Sequence, residues 1–174
     1  MNKIEGHKSH RYENRVDIAG EHRWSDAGQL ILVIIFILGL VFDLFIFNLS
    51  GSWQNLFSWY YRLIIFIPLF LLSGYFSQNG LKKVFKEKRE KLEVIDKGVF
   101  GMVRHPIYLG SILVYLSFVI LSLSIVALII FVIIVIFYYY ICRYEEKLLI
   151  QELGDKYRVY MRKVPMLIPK IQRM

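Results

Sequence analysis

The chain has 174 residues, 56% of them hydrophobic, with 22 Lys and Arg against 14 Asp and Glu for a formal charge of +8. This is one domain's length, too apolar for an ordinary soluble domain, and the basic excess sits between and after apolar runs, which argues against nucleic acid and for a membrane protein fixing its orientation. The single cysteine, Cys142, excludes an intramolecular disulfide and a cysteine-rich metal site.

Residues 1–28 form a polar arm in which Lys3, Lys8, Arg11, Arg15 and Arg23 alternate with acids and with His7, His10 and His22. The spacing of those histidines matches no compact metal site, and the polar start predicts no cleavable signal peptide. The arm reads as a surface anchor. Residues 29–76 read as a first transmembrane hairpin. Its first span, 29–49, is long enough for the hydrocarbon core at roughly 20 residues and has Asp43 as its only charge. An uncharged turn at 48–52 follows, then a second span at 56–76 with Arg62 as its only charge. The two charges fall at similar depth on either side of the turn, which predicts a structural clasp between them.

Residues 77–106 are polar and strongly basic. Leu81, Val84, Phe85 and Leu92 recur at helical spacing, predicting an amphipathic extension on the membrane face that stops near Lys97-Gly98. The segment ends in Arg104-His105-Pro106. Pro106 biases His105 away from the helical region and suits the first turn of the helix that follows. Arg104 and His105 are thereby presented at a helix mouth, with Tyr108 and Gly110 one turn inside. The plainer reading is a helix start with a snorkelling arginine.

Residues 107–142 form a second hairpin, with spans at 107–123 and 125–140 around a minimal break at Ser122-Leu123-Ser124; together the two runs exceed one tilted helix. Residues 143–174 continue the last helix to a glycine stop at Gly154, then give a helical turn around Tyr157 and Tyr160 and a proline-set strap at 164–169. The turns near 51 and 123 carry no charge, whereas the arm, the 77–105 segment and the tail are basic, so both termini are expected in the cytoplasm. The fold class is all-α: a polytopic membrane helix bundle with about four transmembrane helices and a cytoplasmic C-terminal region.

A dinucleotide-binding glycine fingerprint is absent, and no histidine and acid are arranged around a serine. What remains at the cytoplasmic mouth is Arg104, His105, several tyrosines and the adjacent Glu145 and Glu146. Such a set suits a zwitterionic or cationic small molecule. Taken alone, Glu145-Glu146 also reads as a solvated helix end.

The series Arg104-His105-Pro106-Ile107-Tyr108-Leu109-Gly110, then Glu145-Glu146, then Leu153-Gly154-Asp155-Lys156-Tyr157-Arg158-Val159-Tyr160, then Val164-Pro165 and Ile168-Pro169 resembles the isoprenylcysteine carboxyl methyltransferase family. The wider superfamily includes the phospholipid N-methyltransferases, and the likeness covers about residues 95–170. It implies that the C-terminal half wraps S-adenosylmethionine (S-adenosyl-L-methionine) at the cytoplasmic face, beneath a lipid-facing opening. By resemblance, Arg104, His105, Pro106, Tyr108, Leu109 and Gly110 build one wall, Glu145 and Glu146 the other, and Tyr157, Tyr160 and Pro165 close over the cofactor. Glu145 and Arg143 are the implied catalytic pair, with no metal.

The implied acceptor is a lipophilic small molecule or lipidated group, a prenylcysteine-like carboxylate being favoured over a phospholipid amine or a thiol. A carboxylate needs no base, whereas an amine or thiol would require one from His105 or Glu145. A reading from another class is a non-catalytic membrane scaffold of the same fold. Implied partners are membrane lipids and no nucleic acid. Two departures stand out: Gly98 is followed by Val99-Phe100 where the family carries Gly-Pro-Tyr or similar, and Arg143 lies two residues before Glu145 rather than about four.

Overall fold

The computed structural model describes residues 25–86 and 91–169; residues 1–24 of the N-terminal arm, with its three histidines, lie outside those described, and residues 25–28 open the first helix. Helix α1, Ser25–Val41, runs on as a π-helical turn, Phe42–Phe47, and stops at Asn48 in the left-handed region. A single turn, α2 (Gly51–Gln54), leads to α3, Trp59–Leu81, which continues as a second π-helical turn, Lys82–Lys86. The remaining helices are α4 (Val99–Met102), α5 (Pro106–Ser122), α6 (Ile125–Leu153) and α7 (Asp155–Lys163).

Local chemistry sets these boundaries. Pro106 opens α5 at the position where its missing N–H leaves no bond unmade. At the break between α5 and α6, Leu123 turns left-handed and the Ser124 hydroxyl caps α6, accepting from Ala127 N at 3.0 Å. Gly154, with φ +58°, makes the sharp turn from α6 to α7 that a residue with Cβ rarely adopts.

The protein is an all-α membrane protein. Among the described residues, three helical stretches are long and apolar enough to cross a membrane: Asp26–Phe47, Trp59–Lys86 and Ile125–Leu153. The fourth apolar helix, α5, has 17 residues, about 25 Å at the helical rise against a hydrocarbon core of about 30 Å. Packing runs α3 to α5 to α6 to α1, an arc with α1 and α3 at its ends. One core cluster, including Phe36, Tyr115, Ile134 and Tyr138, joins α1, α5 and α6. A second, Phe76, Val99, Val103 and Leu109, joins α3, α4 and α5. The closest approach is at Gly110, where a Cβ would stand 2.8 Å from Ser73 O and 2.9 Å from Ser77 N of α3. Only glycine lets these two helices meet here.

The expected Asp43–Arg62 clasp does not form. Asp43, fully buried, accepts from Ser50 N at 3.0 Å, Ser50 Oγ at 2.5 Å and Ser124 Oγ. Arg62 instead donates to Gln54 O at 3.2 Å and Leu121 O at 3.1 Å. The turns already present hydroxyls and amides to the carboxylate, so it is satisfied without ordering a long cationic side chain. Because Ser50 and Ser124 belong to different hairpins, Asp43 ties the two uncharged turns together at one end of the bundle. The Arg104-His105-Pro106 turn lies at the other end, where Gly80 near the end of α3 abuts Pro106 and Ile107.

The expected amphipathic extension is also different in detail. Leu81 ends α3 and Val84 and Phe85 lie in its π-helical turn, but Leu92 lies in non-helical chain. All four line the cavity described below rather than only facing lipid.

Candidate functional site

Three segments converge at the polar end of the bundle. Between α4 and α5 the backbone is extended, so Arg104 and His105 have free amides, and the strap after α7 supplies their acceptors. Arg104 N donates to Pro165 O at 2.9 Å and His105 N to Met166 O at 3.2 Å. Tyr160 OH adds a bond to Phe100 O at 2.7 Å. The turn is thus clamped to the C-terminal strap, and Pro165 contributes through its carbonyl.

Opposite this turn, α6 brings up Glu145 and Glu146. Arg104 Nη2 lies 3.1 Å from Glu146 Oε1, with both side chains nearly sealed from solvent. The buried His105 ring stands between the two acids, Nδ1 3.5 Å from Glu145 Oε2 and Nε2 3.3 Å from Glu146 Oε1. Tyr108 OH donates to Glu145 Oε1, and the Tyr108 ring stacks beside His105 at 5.9 Å between centroids.

The cluster therefore holds two acids against Arg104 and His105. Burial by itself would lower the His105 pKa, but hydrogen bonds with Cys142, Glu145 and Glu146 outweigh it and hold the pKa well above the ordinary imidazole value. The two acids on either side of the ring favour the protonated form of His105. The phenols of Tyr157 and Tyr160 have pKa values raised chiefly by burial, reinforced at Tyr157 by the nearby Glu146 charge and at Tyr160 outweighing the opposing pull of Arg104.

A cavity of about 370 Å³ opens on this cluster, within the size range of small-molecule sites. Of the residues singled out in the sequence, Arg104, His105, Pro106, Tyr108, Glu145, Tyr157 and Tyr160 line it. Glu146 lies behind them, 1% exposed, bridging Arg104 and His105. Leu109 and Gly110 turn away from the cavity toward α3, in the second core cluster and the α3–α5 contact respectively. Arg143 is half exposed, its Nη1 3.8 Å from Glu146 Oε2, and is not part of the lining.

Sequence reasoning passed over several lining residues. Asp26 and Gln29 come from the start of α1, and Glu93, Val94 and Ile95 from the chain before α4. No local pattern marks them. Tyr138 OH donates to Gln29 Oε1 at 3.4 Å, a bond that requires α1 to be packed on α6.

The donor set can be tested against S-adenosylmethionine, the cofactor implied by resemblance. Arg104 Nε and Nη1 are buried and have no acceptor among the described residues. Two such guanidinium donors beside a cavity fit a carboxylate. Glu145, Glu93 and Asp26 at the lining can accept from an ammonium group or ribose hydroxyls, and Leu149, Leu153 and Phe100 offer apolar wall for a base. The residues present fit a cofactor that is zwitterionic at one end and cationic at its sulfur.

Comparison with known proteins agrees in kind. The sequence model of a family described as phospholipid methyltransferase matches residues 59–156, more than half of the chain. The methanethiol S-methyltransferase of Crocosphaera subtropica is 34% identical over 113 residues, covering 63% of this chain and 43% of that protein. Proteins of the same name from a Pseudomonas species and from Pseudomonas deceptionensis are each 28% identical, covering 81% and 84% of this chain and 56% and 58% of their own lengths. The chain spans about half the length of these relatives.

Proposed function

This chain belongs to the phospholipid methyltransferase family, and from that premise we propose that it is an integral membrane methyltransferase that moves a methyl group from S-adenosylmethionine to a small thiol. The active site is assigned to the cytoplasmic face, where the basic segments gather. The observation that carries the reading is the buried Arg104–His105–Glu145–Glu146 cluster at the cavity, with two guanidinium nitrogens still lacking acceptors.

The donor, when bound, supplies a methyl group activated by its sulfonium charge. Everything else falls to this chain's residues. Arg104 Nε and Nη1 hold the donor's carboxylate, and Glu146, pairing with both Arg104 and His105, fixes the direction of that grip. Glu93 or Asp26 accepts from the ammonium. The apolar lining excludes water and aligns donor and acceptor, and such positioning is a large part of what any enzyme contributes. A thiol must shed its proton to become nucleophilic. The His105 ring is committed between Glu145 and Glu146 in surroundings that favour its protonated form, so that role goes to Glu145, which is at the lining and held in place by the Tyr108 bond to Oε1. Glu145 would take the thiol proton while the acceptor sulfur receives the methyl group, the methyl–sulfonium bond breaking in the same transfer.

A thiol fits the site better than the prenylcysteine carboxylate favoured by resemblance. Arg143, the cation expected to hold such a carboxylate, lies outside the lining, and the two free nitrogens of Arg104 are assigned to the donor's own carboxylate. The lining carries Asp26, Glu93 and Glu145 against Arg104 and His105, an acidic balance that repels a second carboxylate. Three relatives named methanethiol S-methyltransferase point the same way.

The test is equilibrium binding of S-adenosylmethionine to the detergent-purified protein, followed by methyl transfer to small alkanethiols, a farnesylcysteine analogue and phosphatidylethanolamine in parallel. Binding should be lost in Arg104→Gln, and a thioether should be the product formed. Absence of binding by a folded wild-type sample would defeat the methyltransferase reading and favour a scaffold. Methylation of the carboxylate or the amine in place of the thiol would defeat the acceptor assignment.

A further inference from the structure

Helix α7 has two dissimilar faces. One buries Tyr157 and Tyr160, which line the cavity, and leads through Val164 into the strap clamped on Arg104 and His105. The other presents Lys156, Arg158, Arg162 and Lys163, all exposed, with Asp155 as the only acid of the helix. At 3.6 residues per turn these four cations flank Val159 on the outward side, and Val159 is 46% exposed. Nearby in the strap, Ile168 is 82% exposed. Cations around exposed aliphatic side chains are what a surface at the edge of a bilayer requires: phosphates outside, acyl boundary beneath.

Position supports the same reading. Helix α6 has 29 residues, about 44 Å at the helical rise, against about 30 Å of hydrocarbon and about 40–45 Å with headgroups. Its last turns therefore reach headgroup depth, and α7 begins one residue later, turned aside at Gly154. A nine-residue helix that starts at headgroup depth carries its four outward cations within reach of anionic phosphates.

We propose that the outer face of α7 is a docking surface for anionic phospholipid headgroups, and that lipid bound there holds α7 and the strap down over the cavity. The second half of this proposal rests on the cavity being the methyl-donor site, and the first half does not. Lipid on one face and the cavity on the other share one short helix, so anything that immobilises the outer face lowers the ordering required when a ligand enters beneath it.

The test places the protein in nanodiscs of phosphatidylcholine alone or of phosphatidylcholine mixed with phosphatidylglycerol, and follows hydrogen exchange along residues 155–169. Four cations at a charged surface should slow exchange there by about tenfold or more in the anionic discs, and added salt should erase the difference. The combined Lys156→Gln, Arg158→Gln, Arg162→Gln and Lys163→Gln variant should lose it without salt, while its helices near Asp43 exchange as in the parent. Equal exchange in the two discs, or slowing that survives in the variant or in high salt, overturns the docking surface. Donor titration in the same discs should give tighter binding in the anionic ones, and equal affinity overturns the coupling. If the donor binds in neither disc, the proposed function and the coupling fall together, while exchange still decides the docking.

Discussion

Replacing Asp43 offers a sharp check on how this bundle is held together. Its carboxylate accepts from Ser50 N, Ser50 Oγ and Ser124 Oγ with no solvent contact. Each bond to a charged acceptor contributes roughly 1.5–3 kcal/mol net, and each buried donor left unmatched costs about 1–3 kcal/mol. The two hydroxyls can rotate to other acceptors, the backbone amide cannot, so Asp43→Ala should lose about 3–5 kcal/mol and Asp43→Asn about 1–3 kcal/mol.

The diagnostic lies in the cycles. Ser124→Ala removes one of the same bonds, so it should couple to Asp43→Ala by about 1–2 kcal/mol, whereas Arg62→Ala shares no partner with Asp43 and should add to it within about 0.5 kcal/mol. Reversible unfolding of the single and double variants in mixed detergent micelles, followed by tryptophan fluorescence, measures both. Strong coupling between Asp43 and Arg62, or a near-neutral Asp43→Ala, would refute the arrangement described here.

Other perturbations separate packing from electrostatics. Gly110→Ala places a methyl group against Ser73 O and Ser77 N, backbone that cannot rotate aside, and should lower stability by about 1–3 kcal/mol in the same assay. Glu146→Gln removes the partner of two buried cations, Arg104 and His105, and should destabilise by about 3–5 kcal/mol, read as a fall in melting temperature. The folded-state pKa of His105 is raised above 6.5, so the stability it contributes is complete below that value and is lost as pH climbs through the higher folded value. Melting temperature should therefore decline on the alkaline side of neutrality, and His105→Gln should flatten that limb; an unchanged limb in the variant would assign it to another group.

Much of the helical framework was legible because its signals are local. Long apolar runs, Pro106 at a helix start, the Ser122-Leu123-Ser124 break and Gly154 act through backbone sterics and hydropathy, which a chain carries wherever it folds. The convergence of Arg104 and His105 with Glu145 and Glu146 was legible only by resemblance, since nothing in a spacing of some forty residues says that two helices meet there. Their lateral order, α3–α5–α6–α1, was not legible. In a membrane both the lipid side and the packed side of a helix are apolar, so the period that marks a buried face in water is erased.

That loss explains each departure. Asp43 was read as a partner for Arg62 because depth is a sequence property, while its true partners, Ser50 and Ser124, are neighbours only after both hairpins fold. Leu109 and Gly110 belong to the same motif as Arg104 and His105, yet helix rotation turns Leu109 toward Phe76 and Gly110 toward Ser73 and Ser77 of α3. Asp26 and Gln29 reach the cavity because α1 packs on α6. The sequence alone marked the apolar runs long enough to enter a membrane and the polar residues that interrupt them. Which of those residues share a site was decided by the packing of helices against one another, because contact between remote segments is a property of the folded bundle and of no segment within it.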